Sequence, residues 1–276
     1  MVALLPQKKR IRSPVGAGVY YPENKKEMLE FLKAFDLEPG NGRCAQAIIA
    51  PHGSWNLSGE LAASAFSAAM GRSNNIKRVV ILGPIHDRRE IGVFLSDSHS
   101  FHTPIGNIIV DKEVTDELEF AGKYLEINDV PHLGEHSIEI LLPFVKYCFP
   151  SASIVPVLMG QPNQKYIKDL AAALKRVITP ILDETLLVIS CNLSSNDDKE
   201  TARSHAQESL NLIKGKNSSA LISAVTDGRL KPCGGALIAS LFESGLVAGK
   251  TCYAEDILSA IGMENNTVFY SAVSFE

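Results

Sequence analysis

Short apolar runs along this chain end abruptly in residues able to do chemistry. Ile48-Ile49-Ala50 runs into Pro51-His52-Gly53, and Ile81-Leu82-Gly83 runs into Pro84-Ile85-His86. Leu187-Val188-Ile189-Ser190 runs into Cys191-Asn192-Leu193-Ser194-Ser195. Runs that are apolar at both odd and even positions read as strands buried on both faces, the pattern of a sheet covered by helices. Strands are predicted over 45–50, 78–82, 90–95, 108–110, 153–158, 184–190 and 267–273. Helical spacing of apolar residues alternates with them over 59–70, 113–120, 136–147, 166–177, 199–213, 218–226 and 235–244. This alternation predicts a layered α/β fold. In such folds ligands bind in the crevice outside the carboxyl ends of the strands, where His52 and His86 both arrive.

Composition narrows the function classes. With 276 residues, 45% hydrophobic and 21% charged, the chain is neither disordered nor fibrous. No Pro/Ser/Gly-rich linker divides it, so one domain over 1–276 is expected. A net charge of −4 supplies no general attraction for phosphate backbones or anionic lipid, which argues against nucleic acid and membrane partners. Lys8, Lys9, Arg10 and Arg12 form the one dense basic run and are expected to be a solvated arm. The start, Met-Val-Ala-Leu-Leu-Pro followed by basic residues, is the reverse of a secretory signal, and no apolar run reaches membrane-spanning length. Five scattered cysteines without a C-x-x-C indicate neither a disulfide framework nor a zinc knuckle, so a reducing cytoplasm is the expected location.

Two histidines after neighbouring strands can approach one ion, and neutral imidazole suits iron, copper or zinc. Cys233 is the best third ligand among the cysteines, because Lys231-Pro232-Cys233-Gly234-Gly235 leads directly into an apolar helical pattern. A thiol at a helix N-terminus is biased toward thiolate. The competing reading of Cys233 is a small buried residue in a tight turn. A second cluster, His132-Leu133-Gly134-Glu135-His136-Ser137-Ile138-Glu139, contains the H-x-x-E-H pattern of one zinc-protease class. Pro131 and Gly134 instead predict a helix beginning near Glu135, with His132 left in the preceding loop. Then His136 and Glu139 either face the same crevice as His52 and His86 or form a capping and salt-bridge cluster with Glu135. His99, His102 and His205 are expected at the surface, and Trp55 either in the core or walling the pocket.

The succession Ala50-Pro51-His52 with Ser58-Gly59, Val80-Ile81-Leu82-Gly83-Pro84-Ile85-His86 and Thr103-Pro104-Ile105-Gly106 resembles the Memo family (AmmeMemoRadiSam system protein B). Glu135-His136-Ser137-Ile138-Glu139-Ile140-Leu141-Leu142-Pro143-Phe144, Ile154-Val155-Pro156-Val157 and Cys233-Gly234 continue the likeness in the family's order. The resemblance implies one three-layer α/β/α domain with a central, largely parallel mixed sheet, related to class III extradiol dioxygenases of the LigB-like type. It implies that His52, His86 and Cys233 form a metal-binding triad, with iron or copper ahead of zinc, and that the activity is redox chemistry or phosphotyrosine-peptide binding.

Departures from the family pattern matter as much. The family's Pro-His-Ala-Gly-Tyr-x-Tyr-Ser-Gly becomes Pro51-His52-Gly53-Ser54-Trp55-Asn56-Leu57-Ser58-Gly59, so Leu57 replaces a tyrosine. The family's Ser-Asp-Leu-Ser-His becomes Cys191-Asn192-Leu193-Ser194-Ser195. Ser195 thus stands where the related dioxygenases carry an acid/base histidine, and a serine does not take up a proton near neutral pH. His136 and Ser195 are the candidate catalytic positions, expected to face substrate. A metal-dependent redox protein is the leading reading. A non-catalytic module binding a phosphorylated or carboxylate-bearing peptide is the alternative, and a ring-cleaving dioxygenase ranks last. Substrate and protein partners are not specified by any motif.

Overall fold

In the computed structural model, which describes residues 10–35, 37, 43–262 and 266–276, the runs apolar on both parities become the middle of a large sheet. In chain order the strands begin with β1 (Ile11–Arg12), β2 (Ala47–Ala50), β3 (Arg78–Pro84), β4 (Val93–Leu95), β5 (Ser100–Thr103), β6 (Gly106–Ile109) and β7 (Leu125–Ile127). They continue with β8 (Ser153–Met159), β9 (Thr185–Ser190), β10 (Ser194–Asn196), β11 (Cys252–Ala254), β12 (Leu258–Ile261), β13 (Thr267–Tyr270) and β14 (Val273–Phe275). Eight of these form one sheet in the order β11-β14-β2-β9-β3-β8-β4-β7. The inner strands β2, β9, β3 and β8 run parallel, whereas β14 joins β2 and β4 joins β8 antiparallel. The sheet is therefore mixed and mostly parallel, as expected.

Strand alternation feeds two cores. Val80, Leu82, Leu187 and Ile189 face one side, and Val79, Ile81, Leu186 and Val188 face the other, all completely buried. The helices that cover these faces are α1 (Lys25–Ala34), α2 (Trp55–Ser67), α3 (Lys112–Ala121), α4 (Val130–Gly134) and α5 (Leu142–Cys148). The later ones are α6 (Gln164–Ile178), α7 (Lys199–Lys214), α8 (Ser218–Thr226) and α9 (Gly235–Ser244). Leu170 and Leu174 of α6, Leu210 of α7 and Leu237 of α9 pack on the first face. Met28 of α1, Phe66 of α2 and Phe144 of α5 pack on the second, where the Phe66 and Phe144 rings stack at 5.5 Å. Each such side chain contributes roughly 1.5–3 kcal/mol by leaving water.

Four expectations are corrected. The run 267–273 is not one strand: β13 pairs with β10 and β12 in a separate sheet, and β14 returns to the main one. Ser271 and Ala272 make the crossing, with the Ser271 hydroxyl donating to the Glu255 carbonyl. The helix expected over 136–147 begins instead as a single 3-10 turn, Glu139–Leu141, that passes into α5. Glu135 has extended backbone, and its side chain accepts the N–H groups of His136 and Ser137. His132 lies on the short α4, not in a loop.

The fourth correction is the basic arm. Lys8 and Lys9 lie outside the described residues, but Arg10 is ion-paired to Asp129 at 2.7 Å and Arg12 is buried against Glu139. Glu139 also accepts the N–H groups of Val15 and Gly16 and the Tyr21 hydroxyl at 2.6 Å. This one carboxylate pins residues 12–21 across the molecule. The pinned segment places Tyr20 at the crevice.

Candidate functional site

The two histidine-bearing strands, β2 and β3, are not the direct neighbours expected: β9 runs between them, parallel to both, so the carboxyl ends of all three lie side by side. Pro51 follows the last residue of β2, and Pro84 is the last residue of β3, in register with Met159; the chain leaves the sheet just beyond, carrying His52 and His86 to one place. Cys233 stands one residue before Gly234, the N-cap of α9, whose first residue is Gly235. The ligand atoms of His52, His86 and Cys233 all lie within 4.8 Å of one another. Cys233 Sγ is 3.4 Å from His52 Nε2, and the two imidazole centroids are 5.1 Å apart. His136 is beside them, its ring stacked between His86 at 4.9 Å and Tyr20 at 4.6 Å.

Hydrogen bonds decide which nitrogens face inward. The Ser190 hydroxyl has one proton and donates it to the Ser137 carbonyl at 2.6 Å. Its contact with His52 Nδ1, also 2.6 Å, must therefore be donation by the ring. His52 Nε2 is left facing Cys233. His86 Nδ1 donates to Glu135 Oε1 at 2.9 Å, leaving its Nε2 on the same side. Glu135 is well supplied with donors, since it also accepts the backbone N–H groups of His86, His136 and Ser137. Asn192 completes the frame: its Oδ1 accepts the His52 N–H and its own N–H donates to Cys233 Sγ, both at 3.0 Å.

The electrostatics follow from this packing. Burial disfavours a charged His86, but the Cys233 sulfur and the Glu135 carboxylate outweigh it and raise the ring to about 10. Burial also opposes charge on Glu135, yet His86 and His136 hold it at about 2. On His136 burial wins, with His86 and His52 adding to it, and the ring drops to about 4. Burial pushes the Cys233 thiol up, but hydrogen bonding from Cys191 together with His52 and His86 brings it well below the ordinary thiol range. Cys191, completely buried beside it, moves the opposite way.

The cluster opens into a cleft of about 330 Å³ whose walls include Tyr20, Leu57, His136, Asn192, Ser195 and Tyr270. Ser195 is exposed on β10 at the rim, and Leu57 is 40% exposed. Phenol groups remain in the cleft through Tyr20 and Tyr270, neither of which the sequence singled out. Burial and the nearby Cys233 push Tyr270 up to about 12. A second cleft of about 380 Å³ reaches His86 and Cys233 from the other side, with Met159, Leu230 and Leu237 in its wall.

The other sequence candidates are placed elsewhere. His132 is buried, donates Nε2–H to the Phe94 carbonyl at 3.1 Å, and meets Phe101 edge-on. The H-x-x-E-H pattern therefore does not converge on one ion through both histidines, because the extended Glu135 turns His136 away from His132. Glu139 belongs to the Arg12 network and not to the crevice. Trp55 is core, wedged among Phe35, Tyr21 and Phe144, with its N–H on the Ile140 carbonyl. His102 is exposed, while His99 and His205 are half-buried. Sequence reasoning missed Ser190, the polar residue that ends β9 after the apolar run Leu186-Leu187-Val188-Ile189, and the part Glu135 plays in orienting His86.

A family model described as Memo-like protein matches residues 12–256. A MEMO1 family protein of Thermoplasma volcanium is 32% identical over 62% of this chain and 64% of its own length, just under two thirds. A MEMO1 family protein of Thermotoga neapolitana is 29% identical over 91% of this chain and 99% of its own. One from Nitrosopumilus maritimus is 26% identical over 96% and 99%. An uncharacterized Escherichia coli K12 protein of known structure aligns over 83% of this chain and 98% of its own, at 10% identity and TM-score 0.49. The family match spans the segment that supplies His52, His86, Glu135, His136 and Cys233, and the chain belongs to the Memo-like protein family.

Proposed function

We propose that this chain is a metal-dependent redox protein in which His52 Nε2, His86 Nε2 and Cys233 Sγ hold one iron or copper ion. The observation that carries this reading is the pair of hydrogen bonds that fix the imidazoles: Ser190 and Glu135 occupy both Nδ1 atoms, so both Nε2 atoms face the Cys233 sulfur. Histidines that bind metal commonly have their second nitrogen held in this way, and a carboxylate there raises the ring's basicity. Two imidazoles and a thiolate suit iron(II), copper(I) or zinc, and exclude magnesium and calcium as natural occupants. When bound, iron or copper would supply one-electron chemistry. His136 stands next to the ligands with a ring that is neutral near pH 7, so it is the group placed to accept a proton or contact a small-molecule substrate. Ser195 offers the rim a hydroxyl and no base, which separates this reading from ring cleavage. A reducing cytoplasm would keep Cys233 available as a ligand.

Anaerobic equilibrium dialysis with iron(II) or copper(I) tests this. One ion per chain is expected, lost in Cys233→Ala and in His52→Ala. Undiminished uptake by both variants would overturn it. A second reading, phosphopeptide binding without catalysis, is favoured by Lys231, an exposed cation in both clefts with no ion-pair partner among the described residues. Calorimetric heat with a phosphotyrosine peptide, abolished by Lys231→Ala and indifferent to metal, would support that reading instead.

A further inference from the structure

One departure from the family pattern adds chemistry where others remove it. The family's Ser-Asp-Leu-Ser-His begins with serine, and this chain has Cys191 there. The structure interlocks that residue with Cys233. The Cys233 N–H donates to the Asn192 carbonyl at 3.2 Å, the Asn192 N–H donates to Cys233 Sγ at 3.0 Å, and the Gly234 N–H donates to Cys191 Sγ at 3.3 Å. Both sulfurs touch one carbonyl oxygen, that of Asn192, at 3.2 Å from Cys191 and 3.6 Å from Cys233. Gly234 makes the approach possible, since a Cβ there would lie 2.7 Å from Cys191 Cβ and 2.5 Å from the Ser190 carbonyl oxygen. Access is unequal: Cys191 is fully buried, whereas Cys233 is half-buried and lines both clefts.

We propose that Cys191 and Cys233 form a dithiol redox site that a hydroperoxide closes to an intramolecular disulfide, with Cys233 oxidised first and Cys191 resolving it. In the first step the Cys233 thiolate attacks one peroxide oxygen and the O–O bond breaks. Cys233 becomes a sulfenic acid, and the leaving hydroxide or alkoxide takes a proton from solvent. In the second step the Cys191 sulfur attacks the sulfenyl sulfur, the S–S bond forms, the S–O bond breaks, and the thiol proton leaves with the hydroxyl as water. Two thiols lose two electrons in total, and the hydroperoxide is reduced to water or alcohol plus water. A corollary that rests on the proposed metal site is that disulfide and metal exclude one another, because the disulfide consumes the thiolate ligand.

The test uses the full chain, reduced, stripped with chelator and treated with hydrogen peroxide before alkylation and peptide mapping without reductant. Of five alkylatable thiols, the Cys191 and Cys233 pair should be lost together, joined in one cross-linked peptide and recovered with dithiothreitol. Cys191→Ser, which restores the family's residue, should instead leave Cys233 sulfenic acid that dimedone traps. A wild-type chain that accumulates the dimedone adduct, or a cross-link between other cysteines, would overturn the proposal. Preloading with zinc(II) should slow the cross-link. If zinc has no effect while the cross-link forms, the metal reading fails and the disulfide stands.

Discussion

His52 Nδ1 and Ser190 Oγ are 2.6 Å apart, and because the Ser190 hydroxyl is committed to the Ser137 carbonyl, the ring nitrogen must be the donor. A strand-end serine thereby sets which nitrogen of His52 meets Cys233. Ser190→Ala removes that constraint and should weaken iron(II) or copper(I) affinity by about 10–100-fold, as loss of a ligand's hydrogen-bond partner commonly does. It should also cost roughly 1–3 kcal/mol of stability, since the Ser137 carbonyl and the ring nitrogen lose their partner in a buried place. Competition titration and urea unfolding of the same variant measure the two effects.

Proton release on metal uptake follows from His86. Its ring is held at about 10 in the metal-free chain, so at pH 7 it is protonated, and an ion can take Nε2 only by displacing that proton. Calorimetry in buffers of different ionisation heat should therefore report proton release from His86 at pH 7. Affinity should rise about tenfold per pH unit and level off near pH 10. Uptake without proton release would contradict the assignment of His86.

Acid should destabilise the fold through His132. Burial holds this ring at about 4, below the ordinary histidine value of about 6.5, so it stays neutral when folded and charges when unfolded. Stability from this group is complete above about pH 6.5 and falls as pH drops toward 4, by about 3 kcal/mol over the window. His136, also lowered to about 4, acts in the same direction. His132→Gln keeps a donor for the Phe94 carbonyl and removes the titration. Its urea midpoint should fall less between pH 7 and 4.5 than that of the wild type.

Breaking the Arg12 and Glu139 pair leaves a buried charge. Arg12→Met should lower stability by about 3–5 kcal/mol, the usual cost of orphaning one partner of a buried pair. A loss below about 1 kcal/mol in chemical denaturation would show that Glu139 is held well enough by Val15, Gly16 and Tyr21 alone.

These contacts mark where the sequence stopped being legible. Apolar runs at both parities identified the inner strands, and residues placed just after them, His52 and His86, identified the crevice. Those signals are local. Arg12 looked like part of a solvated arm because its partner is 127 positions away. α1 was missed because its buried residues, Met28 and Leu32, make too narrow an apolar stripe to register. Glu135 was noticed for its place in a helical pattern, but its extended backbone gives it a different task, orienting His86 and holding the turn before α5. The three ligand candidates were visible as strand-end and helix-start residues, while Ser190, Tyr20 and Tyr270 required the fold to bring them near.

Two histidines and one cysteine are proposed to share one ion, and X-ray absorption on the iron(II)- or copper(I)-loaded protein reads that coordination shell. The prediction is one sulfur at roughly 2.3 Å and nitrogen neighbours at roughly 2.0–2.1 Å, with the sulfur gone in Cys233→Ala. A spectrum with nitrogen and oxygen neighbours only, identical in wild type and Cys233→Ala, would contradict it.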